Sequence, residues 1–406
     1  IMNVTDLDDR TIEGAEKAGM SLTDFTEKYY QEFLEVLDIL HIKRASEYPR
    51  ASGYVDLMIQ LTEKLIRKGY AYEKLRSIYF DISRFQDYGK LSRIDLDKIR
   101  LGKTVDLERY EKENPRDFTL FKRSTLNELK KGIYYETQWG NMRPSWHMEC
   151  PAMAMKFLGD TYDIHTSGSD LIFPHHENAI AISTAVTGKP LAHYWLHNEL
   201  VMINGKKQSH ALNDRTNTIR DLLEKGYTGR EIRFWLISRH YRKPIFFSLS
   251  KLDTARNTIA NLDQFVTKLR FCRVAPPHPK MDQWVYNLRH KFGESMDDDF
   301  NIAPALAALF EFNRHLNRVM DRTGLSSEDK KKVEGVLIWV NAVLGVMDLE
   351  FAEPDQSIEA LIKKREDARR DEDWNTADRI RKDLRKMGIE VIDTRDGTIW
   401  RKVKDN

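Results

Sequence analysis

Cysteine is almost missing from this chain: there are two in 406 residues, Cys150 and Cys272. One pair makes no disulfide framework, which excludes a small cross-linked secreted scaffold and points to a reducing, cytoplasmic setting. Long apolar runs are missing too. The most apolar helical stretch, 336–347, is about a dozen residues with Asn341 inside it, too short for a membrane span and suited to a buried helix. No basic-then-apolar secretory leader is present. Neither sign of charge prevails: 65 Lys and Arg face 63 Asp and Glu, a net charge of +2. That balance excludes a global basic field, so any contact with RNA must use local patches. The Gly-x-Gly-x-x-Gly and P-loop patterns are both missing, which excludes those two phosphate cradles. No internal repeat or low-complexity tract occurs, which excludes solenoid and repeat-scaffold architectures.

What is present reads as a globular chain. A length of 406 residues, with 32% charged and 41% hydrophobic, suggests roughly two to four domains. Apolar Phe25, Tyr29, Phe33, Leu34, Leu37 and Leu40 recur at three- and four-residue steps, so 11–40 is expected to be helical. Leu57, Met58, Leu61, Leu65 and Ile66 predict a second helix over 55–68. The β-formers at 78–82 predict a short strand, and 84–124 reads as an irregular surface insertion. From Pro144, short strands alternate with helices, which argues for a parallel α/β sheet. Helix is expected over 222–239 and over most of 252–349, broken by the proline cluster at 275–279. The chain closes with charged helix over 358–387 and a hairpin over 389–403 around Arg395-Asp396-Gly397. The reading from pattern alone is α/β followed by α.

Chemistry concentrates in one stretch. Seven of twelve histidines fall between His147 and His210, and Cys150 stands 25 residues before His175-His176-Glu177. Between them lie Trp146-His147, Asp163-Ile164-His165 and the small-residue turn Thr166-Ser167-Gly168-Ser169-Asp170. Imidazole, thiolate and carboxylate together can hold a metal or orient a polar substrate, and small residues let a ligand approach the backbone. A buried strand-turn-helix with surface histidines accounts for the spacing equally well.

The motifs in order do more. Asn3-Val4-Thr5-Asp6-Leu7-Asp8-Asp9, Asn114-Pro115-Arg116-Asp117-Phe118, Trp146-His147-Met148-Glu149-Cys150, Gly168-Ser169-Asp170-Leu171 and Phe173-Pro174-His175-His176-Glu177-Asn178 come first. Tyr194-Trp195-Leu196-His197, Ser238-Arg239-His240-Tyr241-Arg242, Met296-Asp297-Asp298-Asp299-Phe300-Asn301 and Asp393-Thr394-Arg395-Asp396-Gly397-Thr398-Ile399-Trp400 follow. Over essentially the whole chain this resembles the cysteinyl-tRNA synthetase family of class I aminoacyl-tRNA synthetases. The resemblance implies an incomplete Rossmann-type catalytic domain over 1–205, with an insertion at about 41–145. It further implies a stem-contact region over 206–251, a tRNA-docking helical bundle over 252–350 and a small anticodon-side module over 356–406. The implied activity is ATP-dependent attachment of cysteine to its tRNA through cysteinyl-adenylate. The implied partners are ATP, Mg2+, cysteine and the tRNA for cysteine, on a monomer with no membrane association.

Residue by residue, the resemblance implies a zinc ion that binds the substrate thiolate, a choice that thiolate softness makes selective against serine. Cys150 and His175 match two of its four protein ligands. A further Cys is expected upstream of residue 1, and the Glu position falls on Ala179, whose methyl binds no metal. His176 and Glu177 are the neighbours that could substitute, although adjacent helical residues point different ways. Lys207-Gln208-Ser209-His210-Ala211 match the mobile lysine loop, usually Lys-Met-Ser-Lys-Ser. This implies ATP-binding and catalytic roles for Lys207 and His210, with an imidazole where the second lysine normally neutralises phosphate. The His-Ile-Gly-His phosphate cradle is expected upstream of Asn3. The chain opens at Ile1, inside a family motif, so either a missing natural beginning or an unusual start is expected. Trp146 and His165 match the amino-acid pocket; Gly168, Ser169 and Asp170 match the adenylate-side turn; His197 falls near the adenine. Arg381, Lys382, Arg385 and Trp400 are candidate tRNA contacts, by phosphate pairing and stacking. Two alternatives stand beside a cysteine–tRNA ligase of reduced activity. One is a degenerate paralogue that keeps RNA binding; the other is a cysteine ligase of thiol biosynthesis, which the block 296–400 disfavours.

Overall fold

The computed structural model describes residues 1–95, 116–203, 206–207, 217–349, 356–394 and 397–402. The chain divides into two compact units. The first comprises Ile1–Asp38, Lys43–Leu200 and Arg242–Pro244; the second comprises Ile39–Ile42, Val201–Tyr241 and Ile245–Asn406.

The first unit opens with α1 (Asp9–Ala18) and α2 (Leu22–Ile39). The periodicity predicts one helix here, and Gly19 divides it. Gly19 adopts φ 65°, and its N–H caps the carbonyls of Ala15 and Glu16. That left-handed residue ends α1 at a position where a side chain would be strained. α3 (Val55–Arg67) buries Met58, Leu61 and Leu65 on one face. Next come β1 (Ala71–Lys74), β2 (Ser77–Phe80), β3 (Phe118–Arg123), the short helix α4 (Leu126–Lys130), β4 (Tyr135–Thr137) and β5 (Gly140–Pro144). The five strands make an antiparallel sheet in the order β1-β2-β3-β5-β4.

β3 overturns the irregular reading of 84–124. Phe118, Thr119, Leu120, Phe121 and Lys122 are all buried, so the strand is covered on both faces and shows no alternation to detect. Its charge is neutralised locally: Lys122 Nζ pairs with Asp9 at 3.0 Å, and Asp9 also accepts from the buried Arg143.

After α5 (Trp146–Leu158) the chain alternates β6 (Tyr162–Gly168), α6 (Glu177–Thr187) and β7 (Ala192–Asn198). β6 and β7 are parallel, with His165 opposite Trp195 and Gly168 opposite Asn198. Among the described residues of this unit, the parallel pairing is thus a two-stranded pair, and the larger sheet is antiparallel. Leu65, Ile78, Phe80, Leu120, Phe121, Met142, Met148, Met153 and Ile182 share the main core of this unit.

In the second unit, β8 (Val201–Ile203) lies between β9 (Lys206–Lys207) and, further along the chain, β10 (Ile245–Phe246). Between β9 and β10 come α7 (Ile219–Glu224) and α8 (Gly229–Ile237), where the sequence predicts a single helix. Gly226 at φ 80° and the Thr228–Glu231 capping box separate them. The long helices α9 (Leu249–Phe271), α10 (Met281–Asp297), α11 (Ile302–Arg322) and α12 (Ser327–Leu344) then follow. The proline cluster falls between α9 and α10, as its lack of N–H donors demands. α12 buries Val336, Leu337, Val340 and Leu344. Asn341 Oδ1 accepts from the N–H groups of Val346 and Met347, which explains a polar residue in the most apolar stretch. α13 (Gln356–Arg370), α14 (Trp374–Lys386) and the hairpin of β11 (Ile389–Thr394) and β12 (Gly397–Lys402) enclose a small core of Ile358, Ile362, Ile380, Leu384, Ile389, Val391 and Trp400. Among the described residues no helix is long and apolar enough to cross a membrane.

Candidate active site

A parallel β-α-β unit brings the carboxyl ends of its strands and the amino ends of its helices to one edge, where ligands commonly bind. The Cys/His segment is such a unit. Trp146, His147 and Cys150 lie in the first turns of α5, and His175 and His176 immediately precede α6. His165 and Ser167 lie on β6, and Trp195 and His197 on β7. Residues scattered over 52 positions therefore converge, from 146 to 197.

They make two linked groups. In the first, Cys150 Sγ is 3.3 Å from His175 Nε2, and the other nitrogen, His175 Nδ1, is 3.1 Å from His147 Nδ1. The Trp146 ring stacks on His175 with centroids 4.1 Å apart. In the second, His176 bridges the two strands: its Nε2 is 3.1 Å from Ser167 Oγ and its Nδ1 2.9 Å from His197 Nε2. His165 Nδ1 pairs with the Tyr162 hydroxyl at 2.6 Å, and the His165 ring lies 4.5 Å from that of Trp195. Sequence reasoning assigns no role to His147 or Ser167 and offers His176 only as a substitute metal ligand; the crowding of histidines into this stretch is the signal that points to the two histidines.

The cluster is electrically quiet. Burial, helped by neighbouring imidazoles, holds His175 well below the usual histidine range, lowers His176 to about 2, and with His197 brings His165 to about 4. Burial and then Arg242 lower His197. All four imidazoles are thus neutral near pH 7. Desolvation pushes the Cys150 thiol up to about 12, with Glu149 adding to the effect and a hydrogen bond from Asn3 opposing it. Burial also pushes Glu149 up to about 8, although the Thr5 hydroxyl donates to it at 2.7 Å.

This donor set fits only part of a zinc centre. Cys150 Sγ and His175 Nε2 converge as two ligands of one ion would. The proposed substitutes do not join them. Glu177 turns away, and its carboxylate accepts from Gly89 N–H at 3.0 Å and Ser92 N–H at 2.6 Å. Both ring nitrogens of His176 are engaged with Ser167 and His197. Ala179 is fully buried and packs with Ala154, Tyr162, Leu191 and Ala192. Among the described residues no group of three or more His, Cys, Asp or Glu can hold a metal.

Of the remaining candidates, Gly168 leaves room for the Asp170 carboxylate: a Cβ there would lie 2.5 Å from Asp170 Oδ1, so a side chain would oblige that carboxylate to move. Ser169 and Asp170 continue into a single 3-10 turn. Lys207 belongs to β9 in the second unit, and His210 lies outside the described residues. Arg381, Lys382 and Arg385 are exposed along α14. Trp400 is a correction: it is buried, its Nε1 donates to Glu359 Oε1 at 3.1 Å, and it packs on Phe271, so it cannot stack on a base without leaving its core. The exposed aromatic of this module is Trp374, 59% accessible at the start of α14. Trp374, Arg381 and Arg385 recur at helical spacing along one face, a stripe visible in the sequence once the helix boundaries are known.

Comparisons with known proteins match this chain throughout. The family described as tRNA synthetases class I (C) catalytic domain matches residues 1–257, a DALR domain residues 291–351, and the cysteinyl-tRNA ligase anticodon binding domain residues 353–401. A cysteine–tRNA ligase of Methanosarcina mazei is 41% identical over 414 aligned residues, covering 100% of this chain and 87% of that protein. One of Chlamydia pneumoniae is 39% identical, covering 98% of this chain and 84% of that protein. Among solved structures, Mycobacterium tuberculosis methionyl-tRNA synthetase bound by methionyl-adenylate superimposes with a TM-score of 0.59 at 12% identity, covering 84% of this chain and 83% of that one. That likeness shows the class I synthetase fold alone.

Proposed function

Because the chain belongs to the cysteine–tRNA ligase family, we propose that its Cys/His cluster is the amino-acid and adenylate site of that reaction. Ligases of this family use ATP, Mg2+ and Zn2+ in general. The observation that carries the proposal is the convergence of Trp146, Cys150, His165, His175 and His197 on the ligand-binding edge of one β-α-β unit. Activation joins the cysteine carboxylate to the α-phosphate of ATP and releases pyrophosphate; transfer then moves the acyl group to the terminal ribose of tRNA. Both steps depend on positioning and on stabilising charge. Trp146 and His165 supply the walls of a cysteine pocket, and the Gly168-Ser169-Asp170 turn and His197 the adenylate side. A cluster of neutral imidazoles cannot offset phosphate charge. That task falls to Lys207 and His210 outside the cluster, and Mg2+, when bound with ATP, would supply further positive charge.

A zinc ion, when bound, would supply selection of the substrate thiolate. Cys150 and His175 are the residues that would hold it, and two donors hold it weakly. The C-terminal module contributes RNA contact, with Trp374 to stack and Arg381, Lys382 and Arg385 to pair with phosphates.

Cysteine-dependent ATP–pyrophosphate exchange tests the proposal, with charging of the tRNA for cysteine as its second arm. The parent chain is expected to exchange slowly and with cysteine only. His210→Lys should raise the rate, because one charge-stabilising group is typically worth about 100- to 1,000-fold. Exchange at an ordinary synthetase rate, unchanged by His210→Lys, refutes the assigned role of that position. Undetectable exchange in both proteins, with tRNA still bound, favours the degenerate paralogue instead, a reading that buried Ala179 supports.

A further inference from the structure

The turn between α10 and α11 holds two consecutive non-glycine residues in the left-handed region, Asp299 at φ 53° and Phe300 at φ 55°. Such residues are strained, and they persist where surrounding contacts over-determine them. Elsewhere in the bundle the chain avoids this cost: Gly324 follows α11 and Gly345 follows α12, each with positive φ. The backbone of the turn is tightly set. Phe300 N–H donates to Met296 O at 3.1 Å, and Asn301 N–H to Ser295 O at 2.8 Å.

The two strained side chains meet one target. Asp299 Oδ1 accepts from the Tyr241 hydroxyl at 2.5 Å, and Asp299 Oδ2 lies 3.8 Å from His240 Nε2. The Phe300 ring, 55% exposed, meets Tyr241 edge-on with centroids 6.1 Å apart, and His240 stacks on Tyr241 at 5.1 Å. Tyr241 stands where the chain leaves α8, four residues before Ile245 starts β10. β10 pairs with β8, and β8 pairs with β9 through Met202–Lys207 and Ile203–Lys206. Phe247 N–H adds a bond to Met202 O at 2.9 Å.

We propose that Asp299 and Phe300 are positioning residues: a strained clasp on Tyr241 that sets the three-stranded sheet carrying Lys207. The link to catalysis rests on the reading of Lys207 as an ATP ligand; the clasp itself does not. The turn gives up the ease of glycine to present a carboxylate and a ring to the residue that leads into β10. Tyr241 is the handle, since its hydroxyl and its ring are both held.

Glycine at 299 separates positioning from propping. Asp299→Gly relieves the strain, so its melting temperature should equal or exceed that of the parent. Hydrogen exchange of the Val201–Ile203 amides should nevertheless quicken about tenfold, the equivalent of one lost charge-assisted hydrogen bond. Asp299→Asn keeps an acceptor oxygen and should restore most of the protection, while Tyr241→Phe should behave like Asp299→Gly. In pyrophosphate exchange, the KM for ATP should rise about tenfold with the KM for cysteine unchanged, by the same conversion. Unchanged amide exchange in β8 for both Asp299→Gly and Tyr241→Phe overturns the proposal, and so does a lowered melting temperature in Asp299→Gly. Faster exchange in β8 with an unchanged KM for ATP upholds the clasp and overturns the phosphate role of Lys207.

Discussion

Ala179→Glu is the substitution that asks most directly what the Cys/His cluster can hold. Ala179 has no accessible surface and packs against Ala154, Tyr162, Leu191 and Ala192. A glutamate there, with no ion to meet, buries a carboxylate among apolar groups, at an effective cost of several kcal/mol. For a domain of about 200 residues, each kcal/mol moves the melting temperature by roughly 2–4 °C, so the first unit should melt about 10 °C lower in the presence of a chelator. The same carboxylate stands one helical turn beyond His175, whose Nε2 already lies 3.3 Å from Cys150 Sγ. It therefore adds a third donor to a converging pair. Binding to the folded state alone stabilises by about 2.7 kcal/mol at a hundredfold excess of ligand over Kd. Zinc should then recover about 5–10 °C in Ala179→Glu, and shift the parent far less. Thermal melts across a zinc titration, with metal content by mass spectrometry, provide the assay, and Ala179→Glu/Cys150→Ser should lose the response. A full equivalent of zinc in the parent refutes the reasoning, as does an Ala179→Glu melt that zinc leaves unmoved.

Other outcomes follow from the C-terminal module. Trp374→Ala should leave its stability within about 0.5 kcal/mol and weaken tRNA binding, whereas Trp400→Ala should cost about 3–5 kcal/mol by opening the core. Melting and filter binding on both proteins separate the two roles, and binding by the parent should fall as salt rises, because Arg381, Lys382 and Arg385 displace counterions. Hydrogen bonds from Arg365, at 2.7 and 2.9 Å, lower the Asp393 carboxyl to about 2 despite some opposing desolvation. In the unfolded chain that group binds its proton nearer pH 4, so stability rises with pH between those values and is lost as pH falls toward 2. Asp393→Asn should flatten that dependence in the hydrogen-exchange protection of α14, measured from pH 2 to 5.

Much was legible in the sequence because it is local. Three- and four-residue spacing marks α9 to α12 and their proline interruption. The motifs in order identify the family, and the crowding of histidines around Cys150 marks the candidate site. Local rules also explain where the helix expectations came apart, at Gly19 and Gly226, since a left-handed glycine ends a helix whatever the apolar spacing continues to suggest. The strand β3 was hidden for the opposite reason. It is buried on both faces, and its lysine finds Asp9 on a distant helix, so neither period nor polarity announced it.

The sequence by itself determined the class of fold, the family and a set of candidate residues for the chemistry, because apolar periodicity and motif order are properties of neighbouring positions. Only the tertiary structure decided which of those residues face one another. Glu177 follows two site histidines in sequence yet points to the backbone of Gly89 and Ser92. Trp400, in a family motif, is core, while Trp374 is surface. Asp299 and Phe300 sit in strained backbone to reach a tyrosine 58 and 59 positions away. Burial and direction of a side chain depend on what distant segments fill the space around it, and that information enters only when the chain has packed.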